Sequence, residues 1–307
     1  IPYYANINSM RQDYLEFERN YLGINTPLLK RRCELNGIDK KYDIVIAGGD
    51  QVWNVRCRDA DEAYFLSFVK NAKKVAYSPS LGARNINTES LNPKKYAKLI
   101  KQFDYLSVRE NNGQKWIKEL TGIEVPIIAD PTLLLTSKDW LQCIKTEEIE
   151  EKFILYYSFF YSNEYNNGIL SEVSKKYKMP IYIIDGKQWN IHKLDKYGIR
   201  LWKKSGPVGL LSLMNSASIV LVQSFHGIVF SALFHKTFWS LRNKVIKNVN
   251  DDRARVILAQ TGLEKRAICY DDLLNIDLKQ DVDYTEVDVK IQQMRAKAFE
   301  YIESFLY

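Results

Sequence analysis

The sequence lacks the residues on which several common kinds of site depend. Its 307 residues include four cysteines and three histidines, with no C-x-x-C pair and no histidine at metal-ligand spacing. We therefore expect neither a disulfide framework nor a zinc site, and we predict reduced thiols in a cytoplasmic protein. The G-x-S-x-G, Walker and H-E-x-x-H motifs are also missing, which disfavours hydrolase and nucleoside triphosphatase functions.

Long apolar runs are absent as well. No stretch approaches the ~20 apolar residues that cross a bilayer, so we expect a soluble protein. The sequence begins at Ile1 without the basic and apolar regions of a signal peptide, and we expect that an upstream segment is missing from it. A chain of 307 residues exceeds the usual size of one hydrophobic core, which favours two domains.

The net charge is +7. This charge fits an anionic ligand, an anionic membrane surface or nucleic acid, and it also fits a solvated basic surface without a partner. The basic residues are scattered and no nucleic-acid-binding motif accompanies them, so we expect no nucleic acid partner.

Short apolar runs rich in β-branched residues recur along the chain, each followed by a turn signal and a helical pattern. This order is typical of parallel βα units and predicts an α/β fold. The runs predicted for a first sheet are 43–47, 74–78, 105–108 and 125–129. The runs predicted for a second sheet are 153–157, 181–184, 219–222 and 237–239.

A charged stretch at 136–151 separates the two series of runs and marks a domain boundary. We predict an N-terminal Rossmann-like domain at 1–136 and a C-terminal Rossmann-like domain at 137–285. An amphipathic helix at 286–307 should pack on either of them. In open α/β sheets the ligand lies beyond the carboxyl ends of the strands, so residues directly after the runs are the first site candidates.

The strongest candidate follows the run 219–222. His226 and Gly227 lie where a helical pattern begins, which predicts His226 at a helix N-terminus. Exposed N–H groups and the helix dipole attract an anion there, and Gly227 lets a ligand approach the backbone closely. An imidazole in this place can transfer a proton beside a bound phosphate or carboxylate. The alternative is a histidine that only hydrogen-bonds the next loop.

A second candidate is Arg109, at the end of the run 105–108. Its planar guanidinium suits a phosphate or a carboxylate, because it donates paired hydrogen bonds. The alternative is a structural ion pair with Glu110 or Asp104.

The segment after the run 43–47 is a third candidate. Gly48 and Gly49 permit a tight turn, but their spacing does not match the G-x-G-x-x-G fingerprint, so no dinucleotide site is predicted. Asp50, Gln51 and Asn54 are expected to hold hydroxyls. Trp53 could stack on a sugar face or belong to the core.

Taken together, four segments resemble the polysaccharide pyruvyl transferase family in their order and spacing. They are 42–54, 107–110, 130–134 and 224–227. The resemblance extends from about residue 40 to about residue 262 and includes a helical pattern at 206–214 and Arg253.

The resemblance implies two Rossmann-like domains facing across a cleft, as in glycosyltransferase-B-like folds. It also implies transfer of a pyruvyl group from phosphoenolpyruvate to two hydroxyls of a saccharide, giving a ketal in cell-surface or exopolysaccharide biosynthesis. His226 and Arg109 are the implied catalytic residues. Donor contacts are expected from Arg109, Ser224, Phe225, Gly227 and Arg253, and acceptor contacts from Gly48, Gly49, Asp50, Gln51, Trp53 and Asn54. Apart from phosphoenolpyruvate as donor substrate, no cofactor and no metal are expected.

Two features depart from the family pattern. Some members carry arginine where this chain has Ser224, so a second cation must come from elsewhere, with Arg253, Arg242 and Lys204 as candidates. Members also usually begin with a strand and a glycine-containing loop, and nothing before Asp43 resembles that segment. We therefore expect the N-terminal domain to lack its first strand.

Two other functions stay open at this point. One is a glycosyltransferase of the same architecture that uses a nucleotide sugar, and the other is a non-catalytic saccharide-binding protein. The expected partner is a saccharide, free or lipid-linked, with at most peripheral contact to the inner face of the membrane. The sequence leaves the sugar and the oligomeric state open.

Overall fold

The computed structural model describes residues 2–23, 29, 31–243 and 253–306. The chain divides into two compact units. The first unit comprises Ile1–Asn25, Leu135–Lys247 and Ile257–Val289. The second unit comprises Thr26–Leu134, Asn248–Val256 and Lys290–Tyr307.

The described residues form two parallel sheets with helices between the strands. The strands are β1 (Ile44–Gly48), β2 (Lys73–Tyr77), β3 (Ile154–Tyr157), β4 (Ile181–Ile183), β5 (Ile199–Leu201), β6 (Ile219–Val222), β7 (Phe238–Arg242) and β8 (Ala267–Cys269). The α-helices are α1 (Pro2–Phe17), α2 (Ile86–Glu89), α3 (Pro93–Ile100), α4 (Asn111–Thr121), α5 (Ser137–Cys143), α6 (Glu164–Tyr177), α7 (Gly186–Ile191), α8 (Gly206–Ser216), α9 (Phe225–Leu233), α10 (Arg253–Thr261) and α11 (Thr285–Leu306).

Shorter helical turns complete the secondary structure. A π-helical turn at Glu18–Leu22 continues α1. Turns of 3-10 helix lie at Arg32–Leu35, Ile38–Lys41, Glu62–Phe65, Pro131–Leu133, Leu194–Tyr197, Glu264–Arg266 and Tyr270–Asp272. No helix among the described residues is both long enough and apolar enough to span a membrane.

The first unit contains a six-stranded, all-parallel sheet in the order β5-β4-β3-β6-β7-β8. All four residues of β6 are buried, as expected for a parallel strand covered on both faces. The register pairs Tyr157 with Val222 and Val222 with Ser240. The four runs predicted for this sheet are strands in it, and the outer strands β5 and β8 add to them.

The second unit contains the parallel pair β1 and β2, in which Ile46 pairs with Val75. The predicted strand at 105–108 makes a single parallel bridge to Val75, and the one at 125–129 makes a single bridge through Ile127 to Val108. These two segments each form one bridge and not a complete ladder of β-sheet hydrogen bonds. Pro126 is one physical reason, because proline has no N–H to donate.

The division into units differs from the predicted domain 1–136, because residues 1–25 belong to the first unit. Helix α1 packs there through specific contacts: the side chain of Asp13 accepts a hydrogen bond from Ser205 N at 2.7 Å, and a Cβ built on Gly186 would lie 3.2 Å from Met10 Sδ. Among the described residues before Ile44, none forms a strand.

The C-terminal helix α11 was predicted at 286–307 and forms at Thr285–Leu306. Its last part, Lys290–Tyr307, belongs to the second unit. Tyr301 Oη donates to the carbonyl of Ala76 at 3.0 Å, and the ring of Phe305 lies 5.9 Å from that of Tyr105. These contacts fix the end of the helix beside β2.

Candidate active site

His226 lies in the first turn of α9, directly after the central strand β6. Ser224 caps this helix: its Oγ accepts a hydrogen bond from Gly227 N at 2.9 Å. The ring of Phe225 packs edge-on against the imidazole, with centroids 5.3 Å apart, and His226 is half-buried. The local geometry is therefore the strand-to-helix turn that the sequence predicted, with the helix N-terminus beside the imidazole.

Gly227 is required by packing within the protein. A Cβ built on it would lie 2.8 Å from Ser224 Oγ, 2.8 Å from Val222 Cγ1 and 3.0 Å from Tyr157 Cδ1. The space beside its Cα is occupied by protein atoms, so the glycine serves the close fit of α9 against β3 and β6. This explains the residue without invoking a ligand.

Ser158 and Gln223 join the two loops that follow β3 and β6. Ser158 Oγ hydrogen-bonds Oε1 of Gln223, and Gln223 N donates to the carbonyl of Tyr157 at 3.1 Å. Ser158 was not among the residues predicted for the site. Its position directly after a strand was the available signal.

Two of the three candidate cations belong to the unit that contains His226. Arg242 ends β7, which is adjacent to β6, whereas Lys204 follows the outer strand β5. Strands lie 4.7–4.9 Å apart, so β5 is about 14 Å from β6 across three steps. Arg242, which is exposed, therefore lies closer than Lys204 to β6, the strand that leads to His226.

The third cation, Arg253, belongs to the second unit. Burial raises the pKa of Glu110, and the positive charges of Arg109 and Arg253 oppose that rise. Burial also raises the pKa of the Cys57 thiol, and Arg253 again opposes the change. Arg253 therefore acts electrostatically on the group of residues around Arg109.

Arg109 forms a buried network at the carboxyl ends of the second unit's strands. Its Nε donates to Glu110 Oε1 at 2.9 Å, and its Nη1 donates to Asp130 Oδ2 at 2.9 Å and to Asp50 Oδ1 at 3.4 Å. The side chains of Arg109 and Asp130 are each 2% exposed, whereas that of Asp50 is 61% exposed. The ion pair with Glu110, one of the two alternatives for Arg109, is present.

The charges in this network explain the pKa of Arg109. Burial acts to lower it, but the carboxylates of Glu110 and Asp130 outweigh burial, so the pKa of Arg109 is raised. Ser80 Oγ donates a further hydrogen bond to Glu110 Oε1. The guanidinium is thus a permanently charged part of a buried, hydrogen-bonded group.

The glycines after β1 have different structural reasons. A Cβ built on Gly48 would lie 2.1 Å from the carbonyl oxygen of Tyr77. Gly49 has φ +69° and donates its N–H to the same carbonyl at 3.1 Å. Both positions are therefore fixed by the close approach of the loop to β2.

The polar residues of this loop also bond within the protein. Asn54 Nδ2 donates to Gln51 Oε1 at 2.9 Å, and Asn54 Oδ1 accepts from Arg56 N at 3.0 Å. The carbonyl of Asp50 accepts from Ser80 N at 2.7 Å. Of the three polar residues predicted to hold hydroxyls, Asp50 is exposed, Gln51 is half-buried and Asn54 is buried.

Trp53 is a core residue, and the expectation that it stacks on a sugar is wrong. It is 1% exposed, lies parallel to Phe65 with ring centroids 5.1 Å apart, and donates from Nε1 to the carbonyl of Tyr64 at 3.0 Å. No face of the indole is available to a ligand, because the apolar core of the second unit covers it.

The other two histidines bond to neighbouring side chains. His192 Nε2 lies 3.0 Å from Gln188 Oε1. His235 Nε2 lies 2.8 Å from Asp288 Oδ1, and its ring stacks on Tyr284 with centroids 4.5 Å apart. Within the part of the chain that the structure describes, no group of three or more His, Cys, Asp or Glu side chains could hold a metal ion.

Solved structures of sugar-nucleotide enzymes share this fold. A UDP-GlcNAc 2-epimerase from Methanocaldococcus jannaschii superimposes with a TM-score of 0.58 at 14% identity, over 94% of this chain and 90% of that one. A candidate UDP-N-acetylglucosamine 2-epimerase from Listeria monocytogenes gives 0.53 at 13% identity, over 91% and 83%. These likenesses show the fold, which is an α/β fold of the glycosyltransferase-B type, as predicted.

The sequence itself identifies the family. It matches polysaccharide pyruvyl transferases over residues 2–245, and the chain therefore belongs to the polysaccharide pyruvyl transferase family. A comparison with curated proteins finds no match.

Proposed function

We propose that the protein transfers a pyruvyl group from phosphoenolpyruvate to two hydroxyls of a saccharide, forming a ketal in the biosynthesis of a cell-surface polysaccharide. One observation carries the proposal: His226 lies in the first turn of α9, beyond the carboxyl end of the central strand β6. Ligands of open parallel sheets bind at this edge. Membership in the pyruvyl transferase family supports the same reaction.

In the proposed reaction the imidazolium of His226 gives its proton to the methylene carbon of phosphoenolpyruvate. The first saccharide hydroxyl attacks the adjacent carbon, and its proton passes to the imidazole that has just become neutral. The bond from that carbon to the phosphate oxygen then breaks, the second hydroxyl closes the ketal, and phosphate leaves with that hydroxyl's proton. The bonds balance without an oxidant or a reductant, and we propose no cofactor besides the donor.

The donor's negative charges need positive partners near His226. The N-terminal turn of α9 supplies a favourable dipole. The donor lies beside Ser224 and Phe225 in this proposal, because Gly227 N already donates to Ser224 Oγ and protein atoms fill the space beside its Cα. We propose Arg242 as the added cation, since it ends the strand next to β6.

The second unit offers a separate set of groups in this proposal. Asp50 and Gln51 bind acceptor hydroxyls, because they keep access to solvent at the carboxyl end of β1. We propose that Arg109 binds an anion in place of Asp50, the exposed one of its three carboxylate partners. We propose that the reaction takes place in the cytoplasm.

Thermal unfolding with phosphoenolpyruvate, with UDP-GlcNAc and without ligand tests the donor. A ligand at a hundred times its Kd stabilises a protein by about 2.7 kcal/mol, and we expect this with phosphoenolpyruvate. The shift should shrink in Arg242→Gln and persist in Arg200→Gln, a matched exposed arginine on the outer strand β5. Stabilisation by UDP-GlcNAc alone would replace this proposal with a nucleotide-sugar enzyme, and stabilisation by neither would contradict donor binding.

A further inference from the structure

Two phenylalanines on the loop after β3 expose most of their side chains. Phe159 is 63% and Phe160 is 64% exposed. Their loop lies at the carboxyl edge of the first unit's sheet, because β3 ends at Tyr157. Since β3 pairs with β6, the loop is one strand away from the turn that carries His226.

The backbone of this loop is fixed by buried groups. Ser158 N donates to Tyr161 Oη at 3.1 Å, and Phe160 N donates to Ser158 Oγ at 3.0 Å. Tyr161 is 1% exposed, and its carbonyl accepts from Asn167 Nδ2 at 2.9 Å. Ser158 is also bonded to Gln223, the first residue after the neighbouring strand β6. The two exposed rings therefore stand on a loop that is ordered before any ligand binds, which lowers the entropic cost of binding.

Aromatic contacts connect this loop to the helix turn. The rings of Phe159 and Tyr157 lie with centroids 6.0 Å apart. Tyr157 in turn packs against Gly227, since a Cβ built there would lie 3.0 Å from its Cδ1. Gly227 follows His226 directly, so a continuous series of packed groups leads from Phe159 to the turn of His226.

We propose that Phe159 and Phe160 form a platform that binds a pyranose ring of the acceptor saccharide. The inference rests on the proposed function and names the acceptor contact of the first unit. One face of a pyranose presents C–H groups, which suit the negative face of a phenyl ring, whereas phosphoenolpyruvate is charged and has little apolar surface. Adjacent exposed apolar side chains on a fixed loop are typical of a binding surface.

Saturation-transfer NMR with the methyl pyranosides of glucose, galactose, mannose, N-acetylglucosamine and N-acetylmannosamine tests the platform without requiring turnover. We expect ring C–H signals with the wild type for at least one glycoside. In the double variant Phe159→Ala/Phe160→Ala the Kd of that glycoside should rise about tenfold, a loss of about 1.4 kcal/mol of binding free energy. Phe159→Tyr/Phe160→Tyr keeps the rings and should keep binding.

Phe299→Ala is the matched control, because Phe299 is 45% exposed on α11 in the second unit. The Kd of the glycoside for Phe299→Ala should equal its Kd for the wild type. Unchanged glycoside binding in the double alanine variant, or no saturation transfer to any glycoside in the wild type, would overturn the platform. A third outcome would also overturn the platform, in favour of a lipid-binding surface. In it, the wild type sediments with phosphatidylglycerol vesicles, and the double alanine variant no longer does but still binds the glycoside.

The outcome is separable from that of the proposed function. Stabilisation by phosphoenolpyruvate should be equal in the wild type and in the double alanine variant, because the platform does not contact the donor. If phosphoenolpyruvate stabilises both and the glycosides bind both equally, the platform alone is wrong. If phosphoenolpyruvate stabilises neither, the proposed donor is wrong, whatever the NMR result.

Discussion

Arg109 Nη1 donates a hydrogen bond to Asp130 Oδ2 at 2.9 Å, and both side chains are 2% exposed. The two residues follow segments that are neighbours in the second unit, joined by the bridge between Val108 and Ile127. A buried charge pair of this kind destabilises a protein strongly when one partner is removed, because the remaining charge is left in a poor solvent. Arg109 is therefore a structural residue, whatever else it does.

Arg109→Ala should lower the free energy of unfolding by about 3–5 kcal/mol, measured by urea denaturation. Arg84→Ala is the control: Arg84 pairs with Glu89 at the surface, at 3.2 Å, and its loss should cost less than about 1 kcal/mol. A stable Arg109→Ala variant would argue against the structural role. If the variant is destabilised as expected, its loss of ligand binding does not by itself assign Arg109 to the donor site.

His226→Gln should reduce turnover of phosphoenolpyruvate by about 10²–10⁴-fold, the usual effect of removing a positioned acid. The assay is phosphate release in the presence of a saccharide that the wild type accepts. The melting temperature of His226→Gln should stay near that of the wild type, because the half-buried imidazole of His226 is not part of the core. His192→Gln is the control and should retain full activity, since His192 follows α7 directly and bonds to Gln188 within that helix. Equal activity in the two variants would remove His226 from the mechanism.

Much of the first unit was predictable because its strands are buried on both faces and read as apolar runs. The outer strands gave no apolar run: β5 has the exposed Arg200 at its centre, and all three residues of β8 are only half-buried. His226 was predictable because a strand ends and a helix begins within a few residues. The place of each candidate at a strand end thus followed from local sequence.

Residue roles that depend on distant contacts could not be predicted in this way. Trp53 follows a strand, which fits both a sugar platform and the core, and its partner Phe65 lies twelve residues further along the chain. The three carboxylates around Arg109 meet because the carboxyl ends of parallel strands lie at one edge of the sheet. The local sequence pattern predicts neither the burial of the residues around Arg109 nor the exposure of Phe159.

Gly48→Ala should destabilise the protein more than Gly49→Ala does. The new Cβ at residue 48 would lie 2.1 Å from the carbonyl oxygen of Tyr77, a backbone atom that cannot move without disturbing β2. At residue 49 the nearest atom, Pro131 Cγ, would be 3.5 Å away, so the cost is mainly that of φ +69°, about 1–2 kcal/mol. Melting temperatures of the two variants measure the difference, and a reversed order would contradict this account of the turn.

Asp39 connects the segments that precede β1 and β2, and it provides a test of pH dependence. Its Oδ2 accepts from Lys70 N at 2.7 Å, Asn71 N at 2.7 Å and Asn71 Nδ2 at 3.1 Å. The backbone hydrogen bonds from Lys70 and Asn71 lower the pKa of Asp39 below its ordinary value of 3.8. Because the native pKa is the lower one, the carboxylate stabilises the fold above the unfolded pKa, and this contribution is lost as the pH falls through the native pKa.

Asp39→Asn should therefore lower the melting temperature at pH 7, and its difference from the wild type should shrink as the pH falls below 3.8. Asn has the shape of a protonated aspartic acid, so the two proteins converge where Asp39 is protonated. Asp59→Asn, at an exposed position, should show little difference at either pH. A difference for Asp39→Asn that is constant with pH would mean that the shape of the side chain, and not its charge, holds the two segments together.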